Sequence, residues 1–318
     1  MLYISELARN SKAMRRVATA PPHAYFVVSA VFHYLGPAFA VLLFARVGVL
    51  GVAWLRIAAA AVLFAAWRRP WRAFAALDRS GRRLILSWGI VLAVMNCCFY
   101  TAIDRLPLAT VATIEFLPVV ALAALGARTA RNAAALVLAV PGVYLITGVR
   151  IGGEPVGIVF AFANAILFAL YIVLAHRVAR HRGISGIDGL AASMLVAAIA
   201  VSPMGGWQVI PVALDPVALL AGVGVGVSSS VIPYVFDQLA MARLSRATYA
   251  LMVSLLPATA TVIGVLVLAQ VPSALELLGV ALVVAGVAVH RDPETAPGSP
   301  GRHRELSRPS PRPASSVV

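Results

Sequence analysis

The stretch AIDRLPLATVATIEFLPVVALAALG, residues 102–126, is echoed by AMARLSRATYALMVSLLPATATVIG, residues 240–264. Each reads Ala-x-x-Arg-Leu at a helix entry and then sets a proline, Pro118 or Pro257, inside an apolar run. Each is followed by a glycine-bearing apolar segment, LAVPGVYLI from Leu138 and LVVAGVAV from Leu282. Ordered self-similarity of this kind marks an internal repeat, and the repeat decides how the rest of the chain is read.

The surrounding composition names the solvent. Of 318 residues, 61% are hydrophobic and 12% charged, with a mean hydropathy of +0.91. Soluble domains carry roughly 25% charged residues, and a soluble chain of this length has no core large enough to hide so much apolar surface. A bilayer-spanning helix needs about 20 mostly apolar residues. Ten stretches qualify: roughly 24–44, 48–67, 84–103, 107–126, 132–149, 155–175, 187–205, 216–236, 247–268 and 273–290. The repeat pairs spans 3–5 with 8–10, and therefore 1–5 with 6–10. Because five is odd, the two halves enter the membrane in opposite senses. The expected fold is an all-α integral membrane protein of ten transmembrane helices in two inverted five-helix repeats. Residues 24–149 and 150–290 form the repeats, residues 1–23 a cytoplasmic segment, and residues 291–318 a Pro/Ser/Arg-rich disordered cytoplasmic tail. The polar, basic start is unlike a cleavable signal peptide.

The charges test the span count. Every other connecting segment is arginine-rich, and those segments hold 22 of the 26 basic residues. The opposite segments hold only Arg46, Arg105 and Arg150, and Arg56 falls inside span 2. One missed helix would scramble this alternation, so the positive-inside rule puts both termini in the cytoplasm. The net charge of +14 is thus topology information rather than a nucleic-acid surface. Cys97 and Cys98 are adjacent in an apolar run with no metal-ligand spacing and read as packing residues.

Inverted repeats are the architecture of secondary transporters, whose substrate sites lie near the midplane between the halves. No Walker-type lysine loop is present to supply ATP drive. A membrane-embedded enzyme acting on lipid head groups would need an interfacial set of nucleophile, base or metal ligands, and no such set stands in the sequence. Neither cofactor nor metal is implied. The expected partners are a small-molecule substrate, protons and the lipid bilayer; a homodimer is left open.

The charged groups inside the apolar spans need reasons, because an ionised side chain at mid-membrane costs roughly 2.5–3.5 kcal/mol on insertion scales. Glu115 stands near the centre of span 4, three residues before Pro118. Pro118 has no amide hydrogen for the Ile114 carbonyl, so the helix should bend and present a free acceptor beside the carboxylate. Irregular backbone at that depth is tolerated only against protein or a water-filled cavity. Glu115 is accordingly a candidate proton-coupling or substrate-ammonium site, against the alternative of a structural carboxylate. Arg56 has three open fates: pairing with Glu115, binding a substrate carboxylate, or reaching out to the membrane surface. Asp237 and Tyr234 follow Pro233 in span 8. Asp237 is a candidate gate or proton carrier, or else an interface residue near Arg243, and Tyr234 is a candidate substrate contact. Asn96 and Tyr100 share a face of span 3 at i, i+4 and are candidates for binding substrate or for interhelical bonding. Ser228 to Ser230, Gly279 and Gly286 read as close-packing positions, while His33 and Tyr34 stay ambiguous. Pro118, Pro233 and Pro257 are the candidate hinges.

The runs WGIVLAVMNCCFYTAIDRLPLATVATIEFLPVVAL (88–122), LRIA around Arg56, RPWR (69–72) and SSSVIPYVFDQLAMARLSRATYALMVSLLP (228–257) resemble the bacterial threonine/homoserine exporter family. That family belongs to the EamA-type transporters of the drug/metabolite transporter superfamily. The resemblance implies ten helices with cytoplasmic termini in the inner membrane. It also implies efflux of small amino acids or related metabolites, coupled to proton entry, by alternating access. Export of drugs or toxic metabolites, or uptake, are the alternatives within the superfamily. Four positions depart from the family pattern: Leu256 replaces an acid before Pro257, Ala269-Gln270 stands for Gly-Glu, Val41 for a lysine, and EFLP is one residue short.

Overall fold

The computed structural model describes residues 21–118, 130–150, 154–179, 181, 184, 186–233, 236 and 255–289, and these are helical with no strand among them. Helix α1, Pro22–Val47, starts on a proline at its first turn and carries Pro37 in its interior. Gly48, at φ +79°, turns the chain into α2, Val49–Arg68. The open N-terminus of α2 is closed from afar: Gly51 N–H donates to Gln208 Oε1 at 2.8 Å. After the short α3, Pro70–Ala76, Asp78 caps α4, Arg79–Ile103, by accepting from Gly81 N–H at 2.8 Å.

Helix α5, Leu108–Glu115, begins after Pro107, and its first amide donates to Gln270 Oε1 at 3.0 Å. Next come α6, Ala130–Arg150, α7, Pro155–Ala179, and α8, Gly186–Val201. A π-helical turn, Ser202–Gly206, and two further helical turns extend α8 to Val212. Helix α9, Pro216–Gly226, is capped by Asp215 and runs into a second π-helical turn, Val227–Val231. Helices α10, Leu256–Leu268, and α11, Ala274–Val289, complete the described bundle. Ser273 and Glu276 form a capping box at the start of α11, each accepting from the other's amide.

Among the described residues, five helical stretches are long and apolar enough to cross a membrane: His23–Val47, Val49–Arg68, Arg79–Ile103, Pro155–Ala175 and Gly186–Val212. Shorter apolar helices occupy Ala133–Leu145, Pro216–Val231, Leu256–Leu268 and Ala274–Gly286. Large apolar side chains face outward: Val62, Val137, Ile166, Leu220 and Leu266 are each at least 66% exposed. Water would penalise that surface and acyl chains would not, so the chain is a multi-pass membrane protein.

The packing has a pattern. Helix α6 lies against α11, where Gly142 sits beside the Gly279 carbonyl and Gly286 beside the Ala135 carbonyl, as close-packing glycines do. Helix α4 packs on α7 and α8, and α9 packs on α1 and α2. Helix α5 meets α7 and α10, α10 also meets α1, and α2 meets α8. The central core gathers Tyr34, Val52, Leu55, Tyr100, Leu108, Ile114 and Ile263, drawn from five helices.

Two proline expectations are corrected here. The chain does not bend a continuous helix over Pro118: α5 stops at Glu115, and the Phe116 amide turns back to the Ile114 carbonyl, which is therefore engaged rather than free. Nor does Pro257 stand in mid-helix. It occupies the first turn of α10, where a missing N–H costs nothing because that amide has no intrahelical partner anyway.

Candidate functional site

The buried polar groups converge where α1, α2, α4, α5 and α7 meet the π-helical turn after α9. Arg56 lies on α2, half-buried, and points across the bundle. Its Nε donates to Ser230 Oγ and its terminal NH2 to the Ser229 carbonyl, both at 3.1 Å. The reason that carbonyl is available is local: Pro233, four residues on, has no amide hydrogen to return to it. The guanidinium carbon also stands 5.5 Å from the Tyr100 ring centroid, a cation–π distance. Backbone closeness holds the arrangement. A side-chain carbon on Gly226 would meet the Arg56 carbonyl at 2.9 Å, and one on Gly36 of α1 would meet the Ser229 amide nitrogen at 2.8 Å. Ser29 of α1 adds a hydrogen bond to the Pro233 carbonyl at 3.3 Å.

Glu115, the last residue of α5, is 6% exposed. Its Oε1 accepts from Asn164 Nδ2 on α7 at 3.2 Å, and Asn164 is wholly buried. Arg56 and Glu115 feel each other electrostatically but form no ion pair within 4.0 Å. Tyr34 of α1 lies in the field of Glu115, and His33 in that of Arg56. The Tyr34 and Tyr100 hydroxyls are buried without a hydrogen bond, although Tyr100 lies near both Arg56 and Ser229. The group therefore holds a fixed cation, a carboxylate with one neutral partner, and several unengaged donors and acceptors. That set suits a small ligand with charges of both signs.

The structure brings together Arg56, Tyr100 and Glu115 from the residues singled out in the sequence. Of the three fates open to Arg56, ion pairing with Glu115 and escape to the surface are both absent. Asn96 does not join the group: its Nδ2 is spent on the Leu92 carbonyl of its own helix at 2.8 Å. Tyr234 and Asp237 lie outside the described residues. Asn164, Ser229 and Ser230 were not chosen as site residues. Asn164 sits in the apolar run AFANAILFAL and carries the same signal that exposed Glu115, a polar side chain with no business in hydrocarbon. The three consecutive serines ahead of Pro233 read as packing, which describes only their side toward Gly36.

A separate cavity of about 350 Å3 opens at the α4–α5 end of the bundle. Asp104, Arg105, Thr110, Thr261, Gln270 and Glu276 supply its polar lining. It abuts the first turn of α5, at the other end of the helix from Glu115.

Residues 155–290 match the model of the EamA-like transporter family. The threonine/homoserine exporter RhtA of Escherichia coli is 27% identical over 288 residues, covering 86% of this chain and 92% of that protein. The protein of the same name from Salmonella typhimurium is 28% identical over 267 residues, covering 81% of this chain and 89% of its own length. A solved crystal structure, described only as a protein, superposes with a TM-score of 0.54 at 20% identity, covering 84% of this chain and 96% of that one. At that identity the likeness speaks for the fold alone. The matched domain, the extent of the relatives and an all-helical apolar bundle with a buried charged centre agree: the chain resembles the EamA-like transporters, through residues 155–290, and the threonine/homoserine exporters over most of its length.

Proposed function

We propose that the protein exports small amino acids or related polar metabolites across the bacterial inner membrane in exchange for protons, by alternating access. One observation carries this reading. Arg56 and Glu115 both belong to the first half of the chain, and each is held by residues of the second half, Ser229 with Ser230 and Asn164 respectively. A site whose two charges are shared between halves changes when the halves move, which a transporter needs and a static assembly subunit does not.

The packing pattern supports the ten-span, inverted-repeat reading. Shifting every span by five turns the contacts of α4 with α7 and α8 into those of α9 with α1 and α2. The same shift turns α5 on α7 into α10 on α1, and returns α2 on α8, α5 on α10 and α6 on α11 to themselves. The arginine alternation supports cytoplasmic termini. Glu115 is the proposed proton carrier, and Arg56 with Tyr100 the proposed seat for a substrate carboxylate. The direction, outward, and the amino-acid cargo follow those of the threonine/homoserine exporters that the chain resembles.

A second reading, efflux of an aromatic or toxic metabolite, draws on the rings around the site: Phe44 and Phe99 lie 5.9 and 5.7 Å from Tyr100, centroid to centroid. Everted vesicles decide between them. Under an imposed pH gradient, labelled L-threonine should accumulate with the wild-type protein and fall to the level of protein-free vesicles with Glu115→Gln, while gradient-free exchange persists. Unchanged gradient-driven accumulation by Glu115→Gln at equal expression removes the proton-coupling role. Competition by aromatic cations but by no amino acid selects the second cargo.

A further inference from the structure

Around the Arg56–Glu115 site three buried hydrogen-bonding atoms have no partner: Tyr34 Oη, Tyr100 Oη and Asn164 Oδ1. Buried polar groups are hydrogen-bonded with few exceptions, and an exception needs a reason. Asn164 is the most constrained of the three. It is 0% exposed, its nitrogen faces the Glu115 carboxylate at 3.2 Å, and its oxygen therefore faces away.

The two groups have unequal hydrogen-bonding repertoires. An ionised carboxylate only accepts, a protonated one can donate, and a primary amide offers donors on one side and an acceptor on the other. With Glu115 ionised, Asn164 must turn Nδ2 to it and leave Oδ1 for the interior. Once Glu115 takes a proton from water and points that O–H at Asn164, the amide satisfies it by a half-turn about its last torsion. Oδ1 then accepts from Glu115, and Nδ2 faces the interior. No bond other than O–H is made or broken.

We infer that Asn164 is an amide switch, which converts the protonation state of Glu115 into acceptor or donor character in the ligand space. The inference rests on the proposed coupling role of Glu115. With the acceptor facing inward, the space receives an ammonium or hydroxyl donor; with the donor facing inward, it repels one. A site that holds either the proton or the ligand, but not both well, is what exchange of one for the other requires. Asn164 is thus a positioning and specificity residue, with Tyr34 and Tyr100 as the neighbouring groups that complete the ligand's hydrogen bonds.

The other titratable and charged groups near this pair are few. Arg56 comes from α2, His33 and Tyr34 from α1, and Tyr100 from α4. Helix α10 carries none. Glu276 of α11 lines the separate cavity, Asp188 of α8 is held by Arg68 at 2.8 Å, Arg131 of α6 donates to the Val289 carbonyl, and Tyr144 of α6 is 72% exposed. On α7 itself Tyr171 stacks on Phe168. A change in the site's hydrogen bonding with pH therefore traces to Glu115 and its amide partner.

The test uses the full-length protein in lipid nanodiscs, with infrared difference spectra recorded as the pH is lowered. The protonated Glu115 carbonyl band is the one missing from Glu115→Gln. In Asn164→Leu that band should move to the position of an acid without a hydrogen-bond acceptor, and Asn164→Gln should restore it. Labelled L-threonine serves as the ligand probe. Wild-type binding should weaken at least about tenfold on acidification, and Asn164→Leu should bind about tenfold more weakly at high pH with no pH dependence, each the scale of one hydrogen bond. An unmoved band, or wild-type pH dependence of binding in Asn164→Leu, overturns the switch. Where wild type binds no L-threonine, the band alone decides, and Asn164→Ser replaces a Leu variant that does not fold. Glu115→Gln keeping the wild-type pH dependence is a different result: it removes the coupling role of Glu115 itself.

Discussion

Two prolines stand near the polar centre of the bundle, Pro118 and Pro233, and the backbone around them is used in opposite ways. At Pro118 the helix stops on Glu115, so the group presented is a titratable side chain, and its partner is a neutral amide from α7. At Pro233 the group presented is the main-chain carbonyl of Ser229, and its partner is the permanent cation Arg56. A carboxyl group can exist in two charge states and a guanidinium in only one, because a guanidinium does not deprotonate in proteins. In the proposed function the difference separates two jobs that a single ion pair would confuse, Glu115 carrying the proton and Arg56 holding an anionic group.

The largest effect should therefore come at the fixed charge. Arg56→Leu removes the cation and strands the Ser229 carbonyl and Ser230 hydroxyl, and transport of L-threonine in vesicles should fall at least about a hundredfold, the scale of losing a buried charged hydrogen bond. Arg56→Lys keeps the charge without the fork and should retain roughly a tenth of the activity. If Lys equals Arg, the two-pronged grip on Ser229 and Ser230 is irrelevant to function. Next is the backbone contact behind that grip. Gly36→Ala forces a carbon against Ser229 and should lower stability by about 1–3 kcal/mol, read as an earlier thermal unfolding midpoint, with Gly224→Ala, which meets nothing within 4 Å, as the control. Ser230→Ala removes one of two acceptors for Arg56 and should raise the apparent KM about threefold to tenfold at constant expression, the worth of one hydrogen bond to a charge. The smallest effect belongs to Pro257. In the first turn of α10 it can become Ala for under about 1 kcal/mol. A larger loss there would place Pro257 with Pro118 and Pro233 after all.

Much of this was legible beforehand because membranes impose simple penalties. The arginine alternation and the apolar windows anticipate a multi-pass helical bundle, and the cost of a charge in hydrocarbon singles out Arg56 and Glu115. Spacing misled at Asn96: i, i+4 puts it on one face with Tyr100, but a short amide on a helix can satisfy itself on its own i−4 carbonyl, as it does on Leu92. Proline was read as a kink in mid-helix, whereas Pro118 and Pro257 each come just after a turn, at Phe116 and Leu255, as the second residue of a new helical run, since sequence does not show on which side of a proline the hydrogen-bonded run lies. Ser229 stayed hidden for a different reason. Its contribution to the site is a carbonyl, which every residue has, and only the absent amide of Pro233 makes that one matter.

The contact between Gly36 and Ser229 has a mechanical side. On the α1 side no side chain cushions the contact, so Gly36 lies directly against Ser229 and the Ser228 hydroxyl of the turn after α9. Such a crossing resists being squeezed or slid, since any residue other than glycine entering the contact would clash, yet it offers little resistance to rolling. With Arg56 bonded to Ser229 from α2, the crossing becomes a fulcrum beside the load. Rocking about it would lengthen one arm of the Arg56 fork while the pivot itself stays put, so a small rotation between the halves would be felt first by whatever the guanidinium is holding.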